Sequence, residues 1–141
     1  MPSSLPEIAL RLSTVLAVAG VLVTAGCGRQ GPARFRAHGT VTFAGSPVRL
    51  GRIVFEPDAT RGNAGPQGFA PIENGRYDTS APHCRGPVGG PMVVIIDGMA
   101  TSGGDDAAAS GRLLFPTHEL RMELPMQDAV LDFTVPTSPG R

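Results

Sequence analysis

Two cysteines, three histidines and 12 carboxylates carry most of the chemistry open to this 141-residue chain. His83-Cys84 is the place where an imidazole stands beside a thiol. In an extended chain adjacent side chains point to opposite sides, so His83 is badly placed to activate Cys84. His38 or His118 would have to be delivered by the fold, and no spacing fixes either of them there. A zinc site built from His38, His83, Cys84 and His118 would show C-x₂₋₄-C or H-x₃₋₅-H spacing, and neither occurs. Asp97, Asp105 and Asp106 flank an Ala/Gly stretch and offer oxygen ligands to calcium. The carboxylates at alternate positions that calcium loops use are missing, so these residues read as solvated loop acids. Tyr77 could stack on a ligand, but beside a hairpin turn it reads as a cross-strand packing residue. Gly-x-Ser-x-Gly is absent, as is Gly-x-Gly-x-x-Gly after a strand, and Gly89-Gly90 and Gly103-Gly104 are turn glycines. Every basic residue is Arg, which excludes Schiff-base lysine chemistry and a P-loop lysine together. The reading is of a non-enzyme with no catalytic residue, metal or cofactor. Its rival is a periplasmic enzyme using Cys84 or the Asp97/Asp105/Asp106 cluster.

Cys27 has a different context. Residues 12–23 are an uncharged apolar run, preceded by Arg11 and followed by Thr24-Ala25-Gly26-Cys27. Crossing ~30 Å of hydrocarbon takes about 20 helical residues, so this run has the length of a signal-peptide core and not of a membrane span. Thr24-Ala25-Gly26-Cys27 resembles the bacterial lipobox, in which small residues precede a cysteine that is diacylated and becomes the new N-terminus. The resemblance implies that residues 1–26 are a lipoprotein signal peptide, that Cys27 is the lipid attachment site, and that the membrane is a partner through the lipid. Gly28 after the cysteine, in place of Asp, resembles lipoproteins sent on to the outer membrane. An ordinary secretory signal cut near Ala25 would instead leave a soluble periplasmic binding module. Residues 27–37 carry three Arg, one Pro and a single aromatic, Phe35, and read as a flexible stalk with Arg29, Arg34 and Arg36 solvated.

The remaining length holds one domain, expected over residues 38–136 with a short tail over 137–141. Nineteen Gly and 14 Pro disfavour helix, since Gly costs ~1 and Pro ~3 kcal/mol at an interior helical position. Thr40-Val41-Thr42-Phe43 and Arg52-Ile53-Val54-Phe55-Glu56 alternate as half-buried strands do, and Ala44-Gly45-Ser46-Pro47 between them supplies turn chemistry. Asn74-Gly75 lies between two further strand-like runs and is the strongest local signal for a two-residue hairpin. Met92-Val93-Val94-Ile95-Ile96 is apolar on both faces and is expected to be a central strand with packing partners on each side. Residues 100–111 have no period and read as an exposed loop. Arg112-Leu113-Leu114-Phe115, the alternation from Leu120 to Leu124, and that from Leu131 to Val135 complete about seven short antiparallel strands. This pattern implies an all-β sandwich. Net charge is zero before and after residues 1–26 are removed, which leaves no electrostatic footprint for nucleic acid.

A wider resemblance covers residues 39–135. Gly39-Thr40-Val41-Thr42-Phe43-Ala44-Gly45-Ser46-Pro47-Val48, continued by Gly51-Arg52-Ile53-Val54-Phe55-Glu56-Pro57, resembles the opening hairpin of transthyretin-like or carboxypeptidase regulatory-like domains. Asn74-Gly75-Arg76-Tyr77 resembles their Gly-Lys-Tyr turn, and Leu131-Asp132-Phe133-Thr134-Val135 their closing strand. More narrowly, the chain is similar to the short lipoproteins of planctomycetes. The resemblance implies a seven-stranded Ig-like or transthyretin-like sandwich used as an accessory module at the cell envelope, meeting a protein or polysaccharide there, with no catalytic residues to carry over.

Overall fold

The computed structural model describes residues 31–101 and 112–137. The expected signal segment 1–26, Cys27 with the start of the stalk, Asp105 and Asp106, and the tail beyond Thr137 lie outside them. Nine strands form: β1 (Ala37–Phe43), β2 (Ser46–Pro47), β3 (Leu50–Pro57), β4 (Gly68–Glu73), β5 (Arg76–Asp78), β6 (Gly90–Met99), β7 (His118–Leu124), β8 (Ala129–Val130) and β9 (Phe133–Val135). The fold is all-β, with a single 3-10 turn, Ala59–Arg61, among the described residues. Strand order is β2-β1-β5-β4-β3-β6-β7, and β8 and β9 flank β1.

Alternation decides which side chains face inward. Val41, Ile53, Phe55, Ile72, Met92, Val94 and Ile96 are fully buried, and the sheet curls around them as the layers of a small sandwich do. Tyr77 lies between the Phe55 and Phe133 rings, 6.0 and 6.1 Å away. β6 is an interior strand, paired along its length with β3 and β7, but it stands next to the edge strand β7 and not at the centre of the sheet. The expectation that both its faces meet partners needs correction: Val93 and Ile95 point away from the core and are only half-buried, with no second layer over them among the described residues.

Backbone sign fixes the turns. Asn74 and Gly75 have φ of 50° and 76°, the pair of positive angles that a primed turn requires, and the β4–β5 hairpin closes there as expected. Ala44 and Gly45, at 51° and 75°, repeat that geometry between β1 and β2, although Ala44 has a Cβ to accommodate. Pro71 sits inside β4 without losing a ladder bond. Phe69 exchanges backbone hydrogen bonds with Arg85 on the edge away from β3, and Pro71, two residues on, presents its missing N–H to that same edge. β5 therefore meets β4 only at Glu73 and Arg76, and the two strands part beyond them.

Three findings differ from the sequence reading. The closing strands run parallel to β1, with Val41 opposite Phe133 and Phe43 opposite Val135, so the arrangement is not wholly antiparallel. Residues 112–115 form an isolated bridge from Leu113 to Met99 instead of a strand, and Phe115 is buried against Gly98 and stacks at 4.8 Å on Phe43. The stalk does not extend to Ala37. Arg34 Nη1 donates to the carbonyls of Gln67 and Gly86, Phe35 N to that of Pro87, and Arg36 N to the Asp128 carboxylate. Ala37 is buried in β1. The folded unit thus begins near Arg34, because its backbone donors find partners in loops far along the chain.

Candidate functional site

The parting of β4 from β5 opens a groove of about 610 Å³, floored by β1 and β5 and bordered by Pro71, Glu73 and Val130. Register builds its polar wall. His38 lies opposite Asp78 on one side and Val130 on the other, Thr40 lies opposite Arg76, and Arg76 opposite Glu73. Outward positions of β1 and β5, with Glu73 at the end of β4, therefore place His, Arg, Asp and Glu side by side.

Most of these groups are already committed. Arg36 grips Asp78 through Nε and Nη2, and Ser80 adds its backbone N–H at 2.9 Å and its hydroxyl at 2.7 Å to the same carboxylate. The Arg36 hydrogen bond, helped by Ser80, holds the Asp78 carboxyl well below the usual carboxylate range, against the effect of burial. Asp132 accepts the Thr40 hydroxyl and N–H, both at 2.8 Å, and these bonds lower its pKa as well. The Tyr77 hydroxyl donates to the Leu131 carbonyl at 2.8 Å, and burial pushes its pKa far up, so it remains neutral. Arg76, Glu73 and His38 have no side-chain hydrogen-bond partner among the described residues. The groove presents charges of both signs, with Arg36, Asp78 and Asp132 held in place by their partners.

The residues singled out in the sequence are placed elsewhere. Cys84 is half-buried against the core, and its thiol donates only weakly, at 3.7 Å, to the Pro82 carbonyl. Burial, with the Asp78 and Glu73 carboxylates, pushes that thiol up, the wrong direction for a nucleophile. His83 is exposed at a positive φ of 66°. Among the described residues no three His, Cys, Asp or Glu side chains stand together as a metal site, so His38, His83, Cys84 and His118 are not assembled into one. Asp97 is buried, but its oxygens are taken by Arg52 Nε at 2.8 Å and the Thr117 hydroxyl at 2.7 Å. Those partners lower its pKa although desolvation works strongly against them.

Sequence reading passed over Arg76, Asp78 and Asp132, took Arg36 as solvated, and weighed His38 only as a base or metal ligand. One signal was available for Asp78: an Asp two residues before a Ser is the pattern of a side chain that bonds forward to the backbone. The others depend on register between strands remote in sequence. No family model, no curated protein and no solved structure matches the chain.

Proposed function

We propose that the protein is a non-enzymatic, lipid-anchored module of the cell envelope, held through Cys27 and meeting an envelope protein or polysaccharide through its β-domain, as a planctomycete-type small lipoprotein with a carboxypeptidase regulatory-like, transthyretin-like domain would. The observation that carries this is the apolar run ending in Thr24-Ala25-Gly26-Cys27, followed only seven residues later by Arg34, the first of the described residues with a hydrogen bond into the folded domain. The groove supports a binding role over a catalytic one. Two of its three carboxylates, Asp78 and Asp132, are engaged by Arg36, Ser80 and Thr40, and the nearby thiol is held in its protonated form. Outer-membrane placement belongs to the same reading, through Gly28.

A diacylglycerol on Cys27 would contribute ~0.8 kcal/mol per buried methylene, enough with two or three chains to make dissociation negligible. Cys27→Ser is then expected to move the protein from the membrane pellet to the soluble fraction with its circular dichroism unchanged. A Ser variant that stays in the pellet after a high-salt wash overturns the reading and returns residues 12–26 to consideration as a membrane segment.

A further inference from the structure

We infer that the pole of the domain where the chain enters, with Met126 at its tip, rests against the lipid headgroups, and that the opposite pole points away from the membrane. The inference rests on the lipid-anchor reading of Cys27 and adds an orientation and a contact surface to it.

Chain length restricts the geometry first. Only residues 28–33 separate Cys27 from Arg34, and an extended chain covers at most ~3.6 Å per residue, so Arg34 stands no more than ~25 Å from a lipid-bearing cysteine. Arg34, Phe35 and Arg36 are pinned to Gln67, Gly86, Pro87 and Asp128, which places the 85–90 segment and the connection from β7 to β8 at the same pole. Leu50, by contrast, pairs with Met99 at the far end of β6, up to ~30 Å along that strand from Gly90.

At the entry pole one apolar side chain stands out. Met126 is 72% exposed, the most exposed large hydrophobic among the described residues. It is also held there: Gly89, at φ 79°, lies so close beneath it that a Cβ would meet Met126 Cγ at 3.0 Å and the Pro125 carbonyl at 3.1 Å. An unbranched thioether is well suited to an irregular headgroup boundary. Arg36, Arg61 and Arg121 at this pole are paired with Asp78, Glu123 and Asp58. Arg34, held on two carbonyls, and exposed Arg85 have no carboxylate partner among the described residues and add an attraction to anionic headgroups that salt screens.

The chain has no Trp, so an introduced one reports alone. Mature lipidated Met126→Trp and Leu50→Trp, beginning at Cys27, are incorporated into phosphatidylcholine/phosphatidylglycerol vesicles, with and without brominated acyl chains, and flotation is recorded on the same samples. The expected result is blue-shifted emission quenched by brominated lipid for Met126→Trp and unquenched emission for Leu50→Trp. The unsubstituted lipoprotein gives a second reading: peroxide oxidation of Met126, followed by mass spectrometry, should be slower on vesicles than in the soluble Cys27→Ser protein, with Met99 as internal reference. Three outcomes on vesicle-bound protein overturn the orientation and leave the anchor intact: unquenched emission from Met126→Trp, equal quenching of Leu50→Trp, or oxidation of Met126 at the soluble rate. Protein that does not float overturns the anchor reading, and the orientation with it.

Discussion

At the scale of single residues, the two primed turns differ by one side chain. Asn74-Gly75 has the residue pair the geometry favours, and Gly75 is also hemmed in: a Cβ there would lie 2.5 Å from that of Pro47. Gly75→Val is expected to destabilise the domain by ~1–3 kcal/mol through backbone strain alone, with the Pro47 clash pushing it to the upper end. An unchanged melting temperature would show that the hairpin does not close at this pair. Ala44 holds φ at 51° without the side-chain oxygen that makes Asn tolerant of that region. Ala44→Asn should therefore stabilise by ~0.5–1 kcal/mol, seen as a rise in the thermal midpoint, and a fall would show that the β1–β2 turn is held by something other than its own backbone. Cys84 behaves as a packing residue: its titration with a thiol reagent at neutral pH should be slow in the native protein and complete on unfolding. Its role was readable in the sequence only by elimination, because burial depends on which loop folds over it.

At the scale of elements, what the sequence made legible was local. Alternation located β1, β3, β7 and β9, a continuous apolar run located β6, and the Asn-Gly pair located the β4–β5 hairpin, because each signal is carried by residues within a few positions of one another. The parallel docking of β8 and β9 on β1 was not legible, since its register comes from contacts about 90 residues apart, such as Asp132 with Thr40. Arg34 and Arg36 likewise look solvated until Gly86, Asp78 and Asp128 are brought to them. Asp58 shows how such a contact joins elements. It caps the 3-10 turn through the Thr60 N–H and hydroxyl, and takes Arg121 Nη1 at 2.7 Å from β7, the edge strand of the sheet. The Arg121 side chain is largely exposed, so the ion pair itself contributes little. The cap on a buried carboxylate is the larger effect: Asp58→Ala should cost ~1–3 kcal/mol, whereas Asp58→Asn, which keeps an acceptor for Thr60, should cost clearly less. Chemical denaturation of the two variants compares them, and equal losses would assign the effect to the charge.

At the scale of the molecule, a net charge of zero conceals a strongly organised distribution. Composition shows equal numbers of acids and bases but not their pairing, and four carboxylates bind the fold together across distant elements. Asp58, Asp78, Asp97 and Asp132 each have a folded-state pKa below the ordinary value, through Thr60, Arg36, Thr117 with Arg52, and Thr40 respectively. A group whose pKa is depressed on folding binds fewer protons in the native state, so its stabilisation is complete above the unfolded pKa near 4 and is lost as pH falls through the folded value. Tyr77 acts with the opposite sense at the other end of the scale. Its pKa is raised by burial, so the native state keeps a proton that the unfolded chain gives up near pH 10, and stability is lost as pH rises beyond that. The Cys84 thiol, also raised on folding, starts the alkaline loss earlier, so the stability profile should be a plateau between about pH 5 and pH 8 with a fall on each side. Urea midpoints measured from pH 3 to pH 11 test both limbs, and two substitutions separate them. Asp78→Asn should make the acid limb shallower, leaving the shares of Asp58, Asp97 and Asp132, and should not change the alkaline one, while Tyr77→Phe, which removes the ionisable hydroxyl and its bond to Leu131, should lower the plateau and make only the alkaline limb shallower. An acid limb that persists undiminished in Asp78→Asn would show that the Arg36–Asp78 pair does not hold the entry of the chain to β5.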